Sequence, residues 1–239
     1  MKNRKRIIAV IQARMSSSRL PGKVLRIIRG KPLLDYLIER LRCCSQLDEI
    51  VLATSEEVSD DALFEFAISK SVRCYRGSLY NVAERILNAA NELQADGIVR
   101  VCGDSPLLDH YQVDRFISIF RKDDNLDLVT NVQQRTFPKG QSIEILSISA
   151  LERLIANELS QTQKEHVTEA IYLDPASFRI LNIANDTSLE NMQLSVDTDE
   201  DMRRFESILN LLGEPYHQHS MAQVIDAVNR LDREVILSF

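Results

Sequence analysis

Four short apolar runs, each followed by a helical pattern, constrain the fold of this chain more than any other feature. Residues 6 to 12 (RIIAVIQ) are almost continuously apolar, and EIVLAT (49 to 54), VRCY (72 to 75) and GIVRVC (97 to 102) repeat the pattern. An apolar run without polar alternation is what a strand shows when helices cover both faces of a parallel sheet. Helical patterns separate the runs, from Pro32 to about Cys44, Asp60 to Lys70 and Tyr80 to Leu93. Strand and helix alternating at this spacing predict right-handed βαβ units. Pro32 suits the first position of its helix, and Ser59 or Asp60 can cap the next.

A further helix is expected over His110 to Arg121 and a strand over residues 126 to 131, while SIEILSI (142 to 148) alternates like a strand with one polar face. Helices near Ser149 to Asn157 and Lys164 to Tyr172 follow. Short strands at 178 to 183 and 193 to 196 precede a helix from Asp199 to Leu212.

With 239 residues, 44% hydrophobic and 27% charged, the chain can bury a core of ordinary size. Only seven glycines and six prolines are present, with no linker-like stretch and no internal repeat, so a single α/β domain over 1–239 is expected. Cys43, Cys44, Cys74 and Cys102 have no CxxC spacing, and two are adjacent. That suits buried thiols in a reducing compartment better than zinc or disulfides. The apolar run Ile7 to Ile11 is too short for a secretion-signal core, which predicts a cytoplasmic protein. No segment approaches the roughly 18 apolar residues of a membrane span.

The net charge of −6 is unevenly spread, because residues 1 to 31 hold ten Lys and Arg and no acid. The remainder has 19 bases against 35 acids, a balance of −16 that would repel a nucleic acid. A small phosphorylated ligand fits the basic segment better. In an open parallel sheet ligands sit beyond the carboxyl ends of the strands, so loops starting at Gln12, Thr54, Arg76, Gly103 and Asp197 should converge on one crevice. The first of them, QARMSSSRLPGKVL, offers Arg14, Arg19, Lys23, the hydroxyls of Ser16, Ser17 and Ser18, and a Pro21-Gly22 turn. Backbone N–H groups, hydroxyls and cations in this arrangement make a phosphate cradle. It is neither a Walker sequence nor GxGxxG, which argues against an ATPase and a dinucleotide dehydrogenase. A merely solvated basic loop is the alternative.

The string IQARMSSSRLPGKVL resembles the signature loop of the spore-coat-polysaccharide-type cytidylyltransferases, relatives of the acylneuraminate and 3-deoxy-manno-octulosonate cytidylyltransferases. The resemblance continues in order through ATSEEVSDDAL, YRGSLYNVAERI, VRVCGDSPLLD, FPKGQSIEI, KEHVTEAIY and LSVDTDEDM, nearly the whole chain. It implies a three-layer α/β/α sandwich around a mostly parallel mixed sheet. Residues 1–131 would form a nucleotide-binding half and 132–239 a sugar-binding and dimerisation half. It implies CTP and a sugar as substrates, Mg2+ as cofactor, pyrophosphate as product, polysaccharide biosynthesis as setting and a homodimer. The region 132 to 148, with its alternation taken as exposed, would be the dimer arm.

Magnesium takes oxygen ligands and commonly only one or two protein carboxylates. Asp104, at a strand end in GDSP, suits this, and the resemblance pairs it with Asp197; the plainer reading of Asp197 or Asp199 is a helix cap. Gln12 and Ala13 belong to the nucleotide loop. Arg76, Ser78 and Arg100 could supply donors to cytosine, although Arg100 could equally pair with an acid and Arg85 could be a solvated helix residue. Relatives place Lys139, Gln141, Glu144, Lys164 and His166 around the sugar, His166 falling in the first turn of its expected helix. The mechanism implied is in-line attack by the sugar on the α-phosphorus, with Arg14, Arg19 and Lys23 stabilising the leaving group.

The chain departs from the family at Ser142 and Asn81, where an acid is expected, and at Lys164, where an arginine is. The acceptor is thus expected to be unusual. Two other readings are a glycosyltransferase using a nucleotide-sugar, for which the usual Asp-x-Asp is missing at Asp104, and a nucleotide-binding paralogue with little catalysis.

Overall fold

The computed structural model describes residues 4–237. Lys2 of the basic amino terminus and the last two residues of the expected domain lie outside the described residues. The strands are β1 (Ile7–Gln12), β2 (Ile27–Ile28), β3 (Lys31–Pro32), β4 (Glu49–Ser55), β5 (Arg73–Gly77), β6 (Gly97–Cys102), β7 (Leu128–Thr130), β8 (Glu144–Ser147) and β9 (Ile180–Asn182). The helices are α1 (Leu33–Arg42), α2 (Asp61–Ser69), α3 (Val82–Glu92), α4 (His110–Lys122), α5 (Ile148–Ile155), α6 (Gln161–Glu165), α7 (Glu169–Leu173), α8 (Asp199–Leu212) and α9 (Met221–Leu237).

Seven strands form one sheet in the order β5-β4-β1-β6-β8-β7-β9. Pairing is parallel from β5 to β6 and between β7 and β9, and β8 is antiparallel to both neighbours. The alternation of side chains along β1 builds the layers. The two-residue period of the pleat puts Ile7, Ala9 and Ile11 among Leu37 of α1, Leu63 of α2 and Phe116 of α4. Ile8 and Val10 face the other way, among Ile86 of α3, Leu151 of α5 and Ile171 of α7. All five β1 residues are buried, which explains the unbroken apolar run. The result is a mostly parallel mixed sheet between two helical layers. A third cluster joins Tyr36 of α1 to α8 and α9 through Phe205, Ile208 and Val224. No helix among the described residues is long and apolar enough to cross a membrane.

Several expectations need correction. Pro32 ends the β3 hairpin strand and precedes α1 rather than opening it. Asp60 precedes α2 without capping it, because its carboxylate accepts hydrogen bonds from Met15 N, Thr54 Oγ1 and Ser55 instead. The 142 to 148 segment has no exposed alternation: β8 lies between β6 and β7, and Ile143 to Leu146 are all buried. The exposure that suggested a dimer arm is therefore absent there. Residues 193 to 196 make only an isolated bridge, Gln193 with Lys139, although Leu194 and Val196 are buried. The single helix expected over 164 to 172 is two, α6 and α7, with His166 at the end of the first rather than the start of one. Thr198, not Asp199, caps α8, in a capping box with Asp201. The cysteines are free and half-buried rather than buried.

Candidate active site

The chain leaves β1 at Gln12 and must reverse within a few residues to reach α1. Three anchors fix its path: Met15 N donates to the buried Asp60 carboxylate at 2.7 Å, Gly22 N donates to Met15 O at 2.9 Å, and Leu20 packs inward. Gly22 sits at φ 71°, in the left-handed region that glycine enters without strain. Desolvation opposes ionisation of Asp60, but donors from Ser55, Met15 and Thr54 outweigh it and hold its carboxyl below the ordinary value. Thr54 and Asp60 thus support the loop from behind.

The reversal swings Lys23 back over the ends of β1 and β6. Its Nζ lies 2.8 Å from Asp104 Oδ2 and 2.8 Å from Asp197 Oδ1, so the two carboxylates converge on one point. Gly103 N donates to Gln12 O at 2.9 Å and Val196 N to Asp104 O at 2.9 Å, which ties the three segments together. Burial works against the Lys23 ammonium, but Asp104 and then Asp197 offset it and raise its pKa. Lys23 is 7% exposed, whereas the Arg19 side chain, whose Nη2 also donates to Asp197 at 2.8 Å, is 66% exposed. Lys23 is therefore a fixed part of the site and Arg19 a solvated one. Arg14 Nη2 reaches Glu165 of α6 at 2.6 Å.

Two cavities open here. The first, of about 350 Å³, is walled by the loop residues Gln12, Ala13, Arg14, Ser17, Ser18, Arg19 and Lys23, by Arg85, and by Asp104 and Asp197. The second, of about 470 Å³, lies towards β8 and is walled by residues that include Arg135, Lys139, Glu144, His166, Thr168 and Tyr172. Arg100, Cys102, Asp104 and His166 border both. Two oxygen ligands aimed at a point already occupied by an ammonium suit a hard divalent cation, because Mg2+ needs only one or two protein carboxylates. Among the described residues no group of three or more His, Cys, Asp or Glu is arranged for a metal. The donor set thus fits Mg2+ and does not resemble a zinc site.

The sequence-predicted residues divide accordingly. The structure brings together Gln12, Ala13, Arg14, Ser17, Ser18, Arg19, Lys23, Asp104 and Asp197 on one cavity, and Lys139, Glu144 and His166 on the other. Ser16, Arg76, Ser78, Gln141 and Lys164 do not line either. Arg76 turns to Asp61 and to the carbonyls of Ser55 and Glu57 at the sheet edge, and the Ser78 hydroxyl accepts from Tyr80 N and Asn81 N. Gln141 is buried and bonds the backbone of Leu107 and Asp109. Asn81 caps α3 by accepting from Glu84 N and also donates its Nδ2 to Glu84 Oε2 at 2.8 Å, a contact an acid at this position could not make. Arg100 pairs with Glu144, and its Nε donates to Gln12 Oε1 at 2.8 Å, so the ion-pair alternative describes it. Glu144 further accepts from Thr168 Oγ1 and Tyr172 OH, both at 2.6 Å. Desolvation resists its ionisation, but Arg100 and these donors hold its pKa down. Arg85 is not solvated: it is 3% exposed, burial lowers its pKa to about 10, and its Nε is buried without a partner.

Sequence reasoning missed Arg135, Glu165, Thr168 and Tyr172. Arg135 immediately precedes the TFPKG turn and could have been found as a cation beside it. The roles of Thr168 and Tyr172 depend on the break between α6 and α7, which no local signal announced.

Residues 8–229 match the cytidylyltransferase family model. The chain is 31% identical over 232 residues to the spore coat polysaccharide biosynthesis protein SpsF of Bacillus subtilis, covering 94% of each. A 3-deoxy-manno-octulosonate cytidylyltransferase of Pelobacter propionicus is 36% identical over 124 residues, which are 52% of this chain and 48% of that protein. The structure of a cytidylyltransferase from Leptospira borgpetersenii superposes with a TM-score of 0.92 at 30% identity, covering 96% of each chain.

Proposed function

The chain belongs to the cytidylyltransferase family, and from that premise we propose that it transfers CMP from CTP to a sugar acid or sugar phosphate with release of pyrophosphate. Polysaccharide biosynthesis is the setting named for the SpsF relative, and we extend it to this chain, as a cytoplasmic homodimer. The observation that carries the reading is the convergence of Asp104 and Asp197 on Lys23, where one cavity meets the other. A triphosphate laid against the 12–23 loop would direct its α-phosphate towards that junction.

The basic loop and Ser17 and Ser18 would hold the phosphates. Arg14 and Arg19 would exchange Glu165 and Asp197 for phosphate oxygens as the nucleotide enters. Lys23, fixed by burial, would offset the charge that develops on the leaving pyrophosphate. Asp104 and Asp197 would hold Mg2+, which when bound neutralises phosphate charge and orients the α-phosphate. The second cavity would hold the acceptor, so that its hydroxyl meets the α-phosphorus in line and most of the acceleration comes from positioning. Among the described residues Ser17 and Ser18 have no paired His and Asp, and they would serve as phosphate contacts rather than nucleophiles.

The test is pyrophosphate release with each of CTP, UTP, ATP and GTP and a panel of 2-keto-3-deoxy sugar acids and sugar phosphates. Release should require CTP, Mg2+ and one class of acceptor, and Asp104→Asn should lower kcat by about a hundredfold or more. Release of a nucleoside diphosphate from a nucleotide-sugar would point to a glycosyltransferase, and binding without turnover to a non-catalytic paralogue.

A further inference from the structure

The acceptor cavity contains a guanidinium that the protein leaves partly unanswered. Arg135, in the loop between β7 and β8, lines this cavity. Its Nη2 donates to Ser142 Oγ at 3.1 Å, while its Nη1 is buried and has no hydrogen-bond partner. Among the described residues no carboxylate lies within ion-pairing distance of it. A buried N–H of a cation is costly to leave unpaired, so an unsatisfied one on a side chain that borders a cavity marks a place for a partner of opposite charge.

The other charged groups on this wall do not remove the demand. Glu144 is already answered by Arg100, Thr168 and Tyr172, and Asp104 by Lys23. Glu169 contributes an acid, whereas Lys139 contributes another cation. Ser142 explains why Arg135 is free. An acid at this position, as the family pattern leads one to expect, would stand where Ser142 Oγ now meets Nη2 and would pair with the guanidinium. A serine hydroxyl accepts from Nη2 without neutralising the guanidinium, and leaves its charge for a ligand.

We propose that Arg135 is the anion anchor of the acceptor cavity, receiving a carboxylate or phosphate of the acceptor, and that the neutral Ser142 sets this specificity by leaving the guanidinium unpaired. The proposal rests on the cytidyl-transfer reading of the site. Carboxylate and phosphate present the same pair of oxygens to a guanidinium fork, and the acceptor panel separates them.

Pyrophosphate release with CTP and Mg2+ is measured for the wild type, Arg135→Gln, Arg135→Lys and Ser142→Asp, on sugar acids including 3-deoxy-manno-octulosonate, on sugar 1-phosphates and on neutral sugars. Arg135→Gln and Ser142→Asp should each lower kcat/KM for the anionic acceptor about ten- to a hundredfold, with the change carried by the acceptor KM and the KM for CTP moving less than about twofold. Arg135→Lys should retain part of the affinity, since it keeps the charge without the fork. Loss on sugar acids identifies a carboxylate, and loss on sugar phosphates a phosphate. An unchanged acceptor KM in both variants, or equal losses on neutral sugars, overturns the anchor. If the wild type turns over no acceptor, the cytidyl-transfer reading fails separately. Titration calorimetry of the same acids and phosphates against protein saturated with CMP then decides for Arg135: binding weakened by Arg135→Gln supports it, and equal or absent heats overturn it.

Discussion

Lys23 bridges two carboxylates that would otherwise repel each other. Replacing it by methionine leaves Asp104 and Asp197 without their shared cation, and the partly exposed setting limits the loss of stability to about 1–3 kcal/mol. Mg2+ should replace the missing charge. Thermal unfolding of Lys23→Met is therefore expected to show a larger rise in Tm on adding Mg2+ than the wild type shows, and equal shifts in the two proteins would argue against a cation site at this point. Asp60 acts one step behind. Because its folded pKa is depressed, the stability it contributes is present above the unfolded value near 3.8 and is lost as pH falls through the lower folded value. Urea unfolding of wild type and Asp60→Asn should accordingly differ most at neutral pH and converge in strong acid. A difference that stays constant with pH would assign Asp60 no charged role. The convergence of Lys23, Asp104 and Asp197 was legible because each charge stands in an unusual local string. For Arg100 the sequence left cytosine recognition and an ion pair both open and did not name the acid, because the partner is decided by the antiparallel register that sets Arg100 opposite Glu144 across two strands distant in sequence.

At the scale of elements, the turn before β8 depends on Gly140. At φ 90° a Cβ there would lie 2.4 Å from Ser195 N, against backbone that cannot move aside because Lys139 and Gln193 bridge at this point. Gly140→Ala combines that clash with backbone strain and should cost about 2 kcal/mol or more in chemical denaturation; a cost near zero would mean that the 139 to 142 turn is not held against residues 193 to 195. Elements with strong local patterns were readable directly. The strand Gly97–Cys102 and the helix Asp199–Leu212 have the bounds their sequences suggested. Elements decided by packing were not. KEHVTEAIY has the composition of one helix, yet Val167 and Thr168 are drawn inward, Thr168 to donate to Glu144, and the helix breaks. SIEILSI alternates in sequence, yet its place between β6 and β7 buries both of its faces, including Glu144, which the Arg100 pair makes tolerable. The carboxyl-terminal helix α9 was not anticipated, and it packs on α8 and Tyr36 in a cluster of its own.

Over the whole molecule, the parallel half of the sheet supplies the basic loop and Asp104, and the later half supplies the acceptor wall and Asp197. The sheet contains strands from both sides of residue 131, and Lys23 from the one side meets Asp197 from the other. The charge asymmetry is only partly a feature of the site: Arg14, Arg19 and Lys23 line the loop cavity, whereas Arg4, Lys5 and Arg6 at the other end of β1 pair with Asp48, Asp124 and Glu49; acids from the far end of the chain answer Arg19 and Lys23 through Asp197 and Arg26 through Asp199. The most direct test of the account follows the α-phosphorus itself. Phosphorus NMR of CTP, Mg2+, protein and the acceptor found by the panel should show CTP replaced by equal amounts of pyrophosphate and a CMP–sugar phosphodiester or diphosphate. Accumulation of a nucleoside diphosphate, or pyrophosphate formed with free CMP and no bond to the acceptor, would contradict it.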